Sequence, residues 1–241
     1  MSMTPLVSNS RADRAGEAFR AWAAGSRAQR EALLHEVVEE VSIIRQYRAM
    51  HAYPLNKVTS GVRTMLETQL GDRAPRPAQR FKRVDRILSK LVRFPHMRLS
   101  QIEDIGGCRA VLETLDDVHA AATRIRHRWT YARVQDHISD PKPDGYRALH
   151  IIERRDDRLI EVQLRTFRQH RWAELVEFWS GSTEYALKDG QGPDDLKMYF
   201  AMAAERLARE DRSEPLDEAL ESEFATLRKK VRHYFASPPR S

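Results

Sequence analysis

Between Ala148 and Arg165 the chain carries two short runs, ALHIIER (148–154) and LIEVQLR (159–165), around the charged corner Arg155-Asp156-Asp157. In the second run Ile160, Val162 and Leu164 fall on one side and Glu161, Gln163 and Arg165 on the other, which is the period of a β-strand. The corner Arg155-Asp156-Asp157 predicts a hairpin. Cys108–Leu112 and Tyr131–Ile138 read as two further strands. A chain with this centre cannot be a pure helical bundle, yet its flanks have a helical period. Leu34, Val37, Val38, Val41 and Ile44 recur at three- and four-residue spacing, giving one apolar stripe within a helical stretch from about Ala15 to Met50. Tyr53-Pro54 marks a break. Val58–Leu70 and roughly Ala78–Arg93 read as helices, the latter with Val84, Ile87, Leu88 and Leu91 inward. Thr114 or Asp116 caps another helix through Trp129. Helices follow again to about Tyr185, then near Asp194–Asp211 and Pro215–Phe235. The expected class is α+β: a small mixed β-sheet flanked by helices. The sequence divides into an N-terminal helical region (1–75), a sheet-bearing core (76–190) and a C-terminal helical extension (191–241).

The 241 residues suffice for one well-buried domain with extensions. No apolar run approaches a membrane span. The first residues lack the apolar core of a signal peptide, so they read as a short frayed lead-in to a cytoplasmic protein. One cysteine, Cys108, rules out an internal disulfide, and its apolar setting GGCRAVL suits a buried thiol better than a nucleophile. A net charge of +6 favours an anionic partner. Clustering sharpens this: Arg80, Lys82, Arg83, Arg86, Lys90, Arg93 and Arg98 face a single acid, Asp85. A solvated helix face normally mixes both signs, so this stretch is expected to meet phosphate. The chain has neither GxGxxG nor a GxxxxGK[ST] loop, and phosphate must therefore be held by side chains.

Taken singly, the remaining polar residues have ordinary readings. Glu161, Gln163 and Arg165 fit an exposed strand face, Asp104 before Gly106-Gly107 a turn residue. Tyr146 fits a core aromatic and His150 a satisfied strand histidine.

Four blocks in order change the weighing: RFKRVDRILSK (80–90), EDIGGCRAV (103–111), DHISDPKPDGYRALH (136–150) and EVQLRT (161–166). Together they closely resemble the synthetase domain of the RelA/SpoT family, over about Arg80 to Glu174. The resemblance implies a nucleotidyltransferase-like fold and transfer of pyrophosphate from ATP to the ribose 3′-hydroxyl of an acceptor nucleotide. It implies that Asp104 and Glu161 are the catalytic pair and bind Mg2+, with Glu161 placed to take the proton of the 3′-hydroxyl. Arg80, Lys82, Lys90 and Arg109 become ATP contacts, Arg80 and Arg109 flanking the adenine. Tyr146 becomes the stacking platform for the acceptor base and His150 an acceptor contact; Lys142 and Arg147 lie close enough in sequence to help bind acceptor phosphates, and Gln163 and Arg165 are expected to line the floor. Many relatives have serine where this chain has Arg86. No His-Asp dipeptide occurs and the histidines lack metal-ligand spacing, so the family's companion hydrolase is expected to be missing. The regulatory domains of long relatives are expected to be missing too.

The resemblance leaves the acceptor open. GDP or GTP, giving (p)ppGpp alarmones in the stringent response, is the first expectation. The alternative is a toxin-related branch, suggested by HAYPL (51–55), that modifies the 3′-terminal adenosine of tRNA or an adenine nucleotide and would pair with an antitoxin protein. Tyr146 does not discriminate between them, since stacking tolerates either purine. For tRNA, Arg20, Arg27, Arg30, Arg45 and Arg48 form the expected contact surface. The sequence leaves a homo-oligomer open.

Overall fold

The computed structural model describes residues 6–182, 185, 187 and 190–236. It is α+β, with one five-stranded sheet. Strands β1 (Ala78–Phe81), β2 (Gly106–Leu112), β3 (Tyr131–Asp136), β4 (Leu149–Arg155) and β5 (Arg158–Thr166) lie in the order β1-β2-β5-β4-β3. Two compact units divide the chain, neither of them continuous in sequence: residues 1–109, 125–133 and 151–162 form one, and 110–124, 134–150 and 163–241 the other.

The first unit starts earlier than a frayed lead-in would allow. Helix α1 (Asn9–Ala24) opens at Ser8, whose hydroxyl accepts from the Arg11 N–H at 3.2 Å, and it buries Ala12, Ala15 and Phe19. The preceding Val7 is buried as well, because the Arg158 guanidinium donates to its carbonyl at 3.0 Å and to Asn9 Oδ1 at 3.0 Å. Residues 1–5 of the expected lead-in lie outside the described residues. Ser26 and Gln29 form a capping box for α2 (Arg27–Ala32), and α3 (Leu34–Ala49) follows. The apolar stripe of α3 is narrower than its spacing suggests. Val37, Ile44 and Tyr47 enter the core, whereas Leu34 and Val38 stay exposed. Nor does Pro54 break the chain. Helix α4 (Ala52–Leu70) contains it in its first turn, where a missing N–H leaves no helical bond unmade.

The largest revision concerns Ala78–Arg93. Its first four residues are not helical: β1 pairs antiparallel with β2, Ala78 opposite Arg109 and Arg80 opposite Gly107. Helix α5 begins only at Val84 and runs to Arg93, burying Ile87 and Leu91. Arg80 and Lys82 therefore precede the helix that carries Lys90.

In the second unit Thr114 Oγ1 accepts from the Asp117 N–H at 3.1 Å, starting α6 (Leu115–Arg128), whose last residues belong to the first unit. The hairpin corner has the expected form, with Asp156 and Asp157 at φ +48° and +58°, the left-handed pair a two-residue turn requires. Helices α7 (Phe167–Ser182), α8 (Asp194–Asp211) and α9 (Glu218–Ala236) enclose a core of Trp172, Val176, Leu196, Phe200, Leu227 and Val231. Among the described residues no helix is long and apolar enough to cross a membrane.

His51, from the HAYPL stretch, is a structural residue at the α3–α4 junction. It is 1% exposed, and its Nδ1 lies 2.9 Å from the Tyr47 carbonyl. Burial pushes its pKa down to about 4, while the unfolded chain takes up a proton near 6.5. The unfolded state thus binds the extra proton first, and stability falls as pH drops from about 6.5 towards 4. The full loss at this site is about 3 kcal/mol. His51→Gln is expected to flatten the unfolding midpoint across this range. An unchanged slope in the variant would remove His51 as the cause.

Candidate functional site

The two groups of polar residues that the sequence singles out are each assembled within one unit. The residues expected to meet the donor belong to the first. Because cross-strand partners share a face, Arg80 on β1 and Gly107 on β2 point the same way, and Arg109 lies two residues further along that face. Glu161 on β5 flanks Gly107 on the other side. A Cβ at Gly107 would sit 3.1 Å from the Glu161 carbonyl oxygen and 3.7 Å from its Oε2. The missing side chain is what leaves space beside that carboxylate.

Asp104, just before β2, is gripped by two ammonium groups: Lys82 Nζ at 2.6 Å from Oδ2 and Lys90 Nζ at 3.0 Å from Oδ1. Burial alone would raise its pKa, but Lys90 and Lys82 outweigh this and hold the carboxyl below its ordinary value. Lys82 reaches Asp104 because its backbone is fixed on both sides. Its N–H donates to the Ile105 carbonyl at 2.9 Å, and its carbonyl accepts from Arg48 Nε at 2.6 Å. The Arg48 guanidinium also lies 5.1 Å from the centre of the Phe81 ring. Arg48 is thus a support for the donor group that no local pattern announced, its contact being made 34 residues along the chain. Arg86 stays at the surface, 3.8 Å from Asp85. Cys108 is buried and burial pushes its thiol up to about 12, so it is the inert residue its setting suggested.

The residues expected to meet the acceptor belong to the second unit. Gly145 has φ +91°, a backbone L side chains rarely adopt, and its N–H donates to the Lys142 carbonyl at 2.8 Å. The turn presents Tyr146 to a triangle of side chains. The Gln163 amide donates to the phenol oxygen at 2.5 Å and lies 3.2 Å from His150 Nε2, and the phenol hydroxyl lies 2.9 Å from that same nitrogen. Lys142 Nζ is 5.0 Å from the Tyr146 ring centre. His137 joins them edge-on, 6.1 Å from Tyr146 and 5.4 Å from His150 between ring centres. Burial, with Lys142 and His150 adding to it, lowers its pKa. His137 stands in the DHISDPKPDGYRALH block and was missed because nothing in its spacing distinguishes it from a strand residue.

Arg147 and Arg165 also have partners outside this group. Arg147 is buried, donates to Glu205 of α8 at 2.7 Å and to the Gly145 carbonyl at 3.1 Å, and so braces the loop. Arg165 is also buried and meets His170 Nδ1 at 2.6 Å in the first turn of α7. The strand alternation that put it beside Gln163 holds, but the end of β5 is covered.

Residues 79–180 match the family model described as a region found in RelA / SpoT proteins. That match takes in less than half of the chain. Among curated relatives, a guanosine-3′,5′-bis(diphosphate) 3′-pyrophosphohydrolase of Aquifex aeolicus is 32% identical over 108 residues, 43% of this chain and 15% of that protein. A GTP pyrophosphokinase of Photobacterium angustum is 27% identical over 129 residues, 51% of this chain and 17% of that protein. The chain thus spans a minor part of these relatives' lengths. Among solved structures, small alarmone synthetase 2 of Bacillus subtilis superimposes with a TM-score of 0.58 at 23% identity, over 70% of this chain and 94% of that one. Small alarmone synthetase 1 of the same organism, bound to its product pppGpp, gives 0.57 at 23% identity over 78% and 99%. At such identities the likeness is one of fold, and it reaches well outside the RelA/SpoT region.

Proposed function

We propose that the chain is an ATP-dependent pyrophosphokinase that transfers the β,γ-pyrophosphoryl group of ATP to the ribose 3′-hydroxyl of GDP or GTP. The observation that carries this reading is the Lys82–Asp104–Lys90 grip, formed just after β1 and just before β2, the two strands that bear Arg80, Gly107 and Arg109, with Glu161 against Gly107. Here a carboxylate is stored between two cations, next to a strand face with a second carboxylate and two arginines. A triphosphate brings the anions the lysines can turn to, which releases Asp104 for a metal.

The donor set fits magnesium. Among the described residues no group of three or more His, Cys, Asp or Glu is placed to hold a metal ion. Two carboxylates suffice for an ion that takes most of its ligands from phosphates and water. Asp104 and Glu161 would hold it, and when bound it neutralises charge on the phosphates. Glu161 accepts the proton of the 3′-hydroxyl as that oxygen bonds to Pβ. The bond from Pβ to the bridging oxygen breaks, and AMP leaves with the electron pair. Arg80, Lys82, Lys90 and Arg109 bind the donor. Tyr146, held by His150 and Gln163, stacks on the acceptor base, and Lys142 meets acceptor phosphate.

Transfer to the 3′ end of tRNA gains less support. Two of the five arginines expected to touch it serve the fold: Arg20 donates to the Met97 carbonyl at 2.7 Å, and Arg48 holds Lys82. Incubation with ATP labelled on the β or the γ phosphorus, and with GDP, GTP, AMP, ATP or tRNA in turn, tests the reading. Both labels are expected in the product of GDP or GTP. Transfer of the γ label alone would make the chain a simple kinase. Labelling of tRNA alone would replace the guanosine acceptor. Salt adds an independent check, since tRNA binding releases many counterions and weakens steeply with ionic strength, whereas nucleotide binding weakens little.

A further inference from the structure

Helices α1 and α3 of the first unit pack together, but one stripe of each leaves the space between them unfilled. Ala18, Ala21 and Trp22 lie at three- and four-residue spacing on α1, and Leu33, Glu36, Val37 and Glu40 follow the same spacing at the start of α3. Two of the α1 positions are alanine. A cavity of about 460 Å³ therefore remains beside the short helix α2, which buries none of its own residues. Its walls are fixed. The Trp22 indole N–H donates to the Arg30 carbonyl of α2 at 3.0 Å, and its ring lies 5.8 Å from that of Phe19. Val37 is buried on one side and Leu33 stands at the mouth, 46% exposed. Small-molecule sites span roughly 300–1,000 Å³ and are mostly apolar with a few placed polar groups, as this cavity is.

The charge of the lining selects the ligand. Its ionisable groups are two carboxylates, Glu36 and Glu40, and it holds no Lys or Arg. In a chain of net charge +6 that sign is the reverse of the donor residues'. A phosphate is repelled here and a cation attracted. The two carboxylates are not equivalent. Both oxygens of Glu40 are taken by the Arg11 guanidinium, at 2.9 and 3.2 Å. Glu36, one turn earlier on the same face, is exposed and makes no ion pair among the described residues. We infer that the cavity is a binding site for a small organic cation, its apolar body against Trp22, Leu33 and Val37 and its ammonium group on Glu36. The indole face adds attraction for positive charge, and burial of the apolar body supplies the non-directional part of the affinity. The cavity shares no residue with the donor or acceptor groups, so this site does not depend on the reaction proposed above.

Phenylbutylamine and phenylbutanol, which share an apolar body and differ in charge, test this on the full chain. Ligand-observed NMR titration is expected to show saturable binding of the amine at millimolar concentration or below, as suits a ligand of this size. The alcohol should bind more weakly, on the order of tenfold, for want of the charge-assisted contact. Glu36→Gln should bring the amine down to the level of the alcohol and leave the alcohol unchanged. Ala21→Leu fills the cavity from α1 with a good helix former and should weaken both ligands. Glu36 and Ala21 are exposed, so the unfolding midpoint should hold in each variant. Amine binding that does not saturate, that the alcohol equals, or that survives both substitutions would overturn the inference. So would a loss in Ala21→Leu with none in Glu36→Gln, since the cavity would then take apolar groups regardless of charge. Should Ala21→Leu disturb the fold, Ala18→Leu on the same stripe repeats the filling.

Discussion

Asp104→Asn is expected to abolish pyrophosphate transfer in a protein that remains folded. A metal's stabilisation of phosphoryl charge is worth several kcal/mol, so the loss should reach roughly a thousandfold or more. Glu161→Gln should cost a comparable factor, since it removes both an oxygen ligand and the proton acceptor. The two variants should nevertheless part in ATP binding. Asp104 occupies Lys82 and Lys90 at 2.6 and 3.0 Å, and ATP must compete with it for them. Without magnesium, Asp104→Asn is therefore expected to bind ATP at least as tightly as the wild type, and Glu161→Gln to leave that affinity unchanged. Calorimetry with and without the metal separates these cases. Near-normal turnover in either purified variant would remove that residue from the catalytic pair. Much weaker metal-free ATP binding in Asp104→Asn would mean that the two lysines serve the fold and not the donor.

How much of this was legible in the sequence depends on how local each interaction is. The hairpin at Asp156-Asp157, strand β5 and helices α8 and α9 were readable because turn chemistry and apolar period act over a few residues. Ala78–Phe81 was not. Four residues are too few to show a period, and the pairing that makes them a strand is with β2, about thirty residues on. The same division runs through the candidate site. Tyr146, His150 and Gln163 lie in the quoted blocks and do come together, on hydrogen bonds of 2.5 to 3.2 Å. Arg147 and Arg165 lie in the same blocks and are buried, and each also has a partner outside them, Glu205 for the one and His170 for the other. An arginine's charge is visible in a sequence, but the group that claims it is not. Arg48 makes the converse point: a basic residue on an N-terminal helix, eligible for any anion, holds a backbone carbonyl of the donor group. Helix α8 extends this to the Tyr146 loop, since it lies outside residues 79–180 and still braces that loop through Glu205.

That bracing makes Gly145→Ala the second substitution with a large expected effect. Two costs arise together. At φ +91° an L side chain is strained, by about 1–3 kcal/mol. The new Cβ would also lie 2.6 Å from Ala204 Cβ and 3.2 Å from Ala201 Cα, and neither can rotate away because both are fixed to the α8 backbone. The loop must move instead, carrying Tyr146 off His150 and Gln163. The KM for GDP is expected to rise on the order of tenfold to a hundredfold, with ATP binding preserved, since β1, α5 and the segment before β2 are untouched by the substitution. Adding Ala204→Gly removes the closest contact but not the backbone strain, so the double variant should recover part of the acceptor affinity and not all of it. Full recovery would assign the whole effect to the contact with α8, and no recovery would assign it to the backbone of Gly145. Should Gly145→Ala bind GDP as the wild type does, the loop would not be the acceptor's seat, and the proposed role of Tyr146 would fall with it.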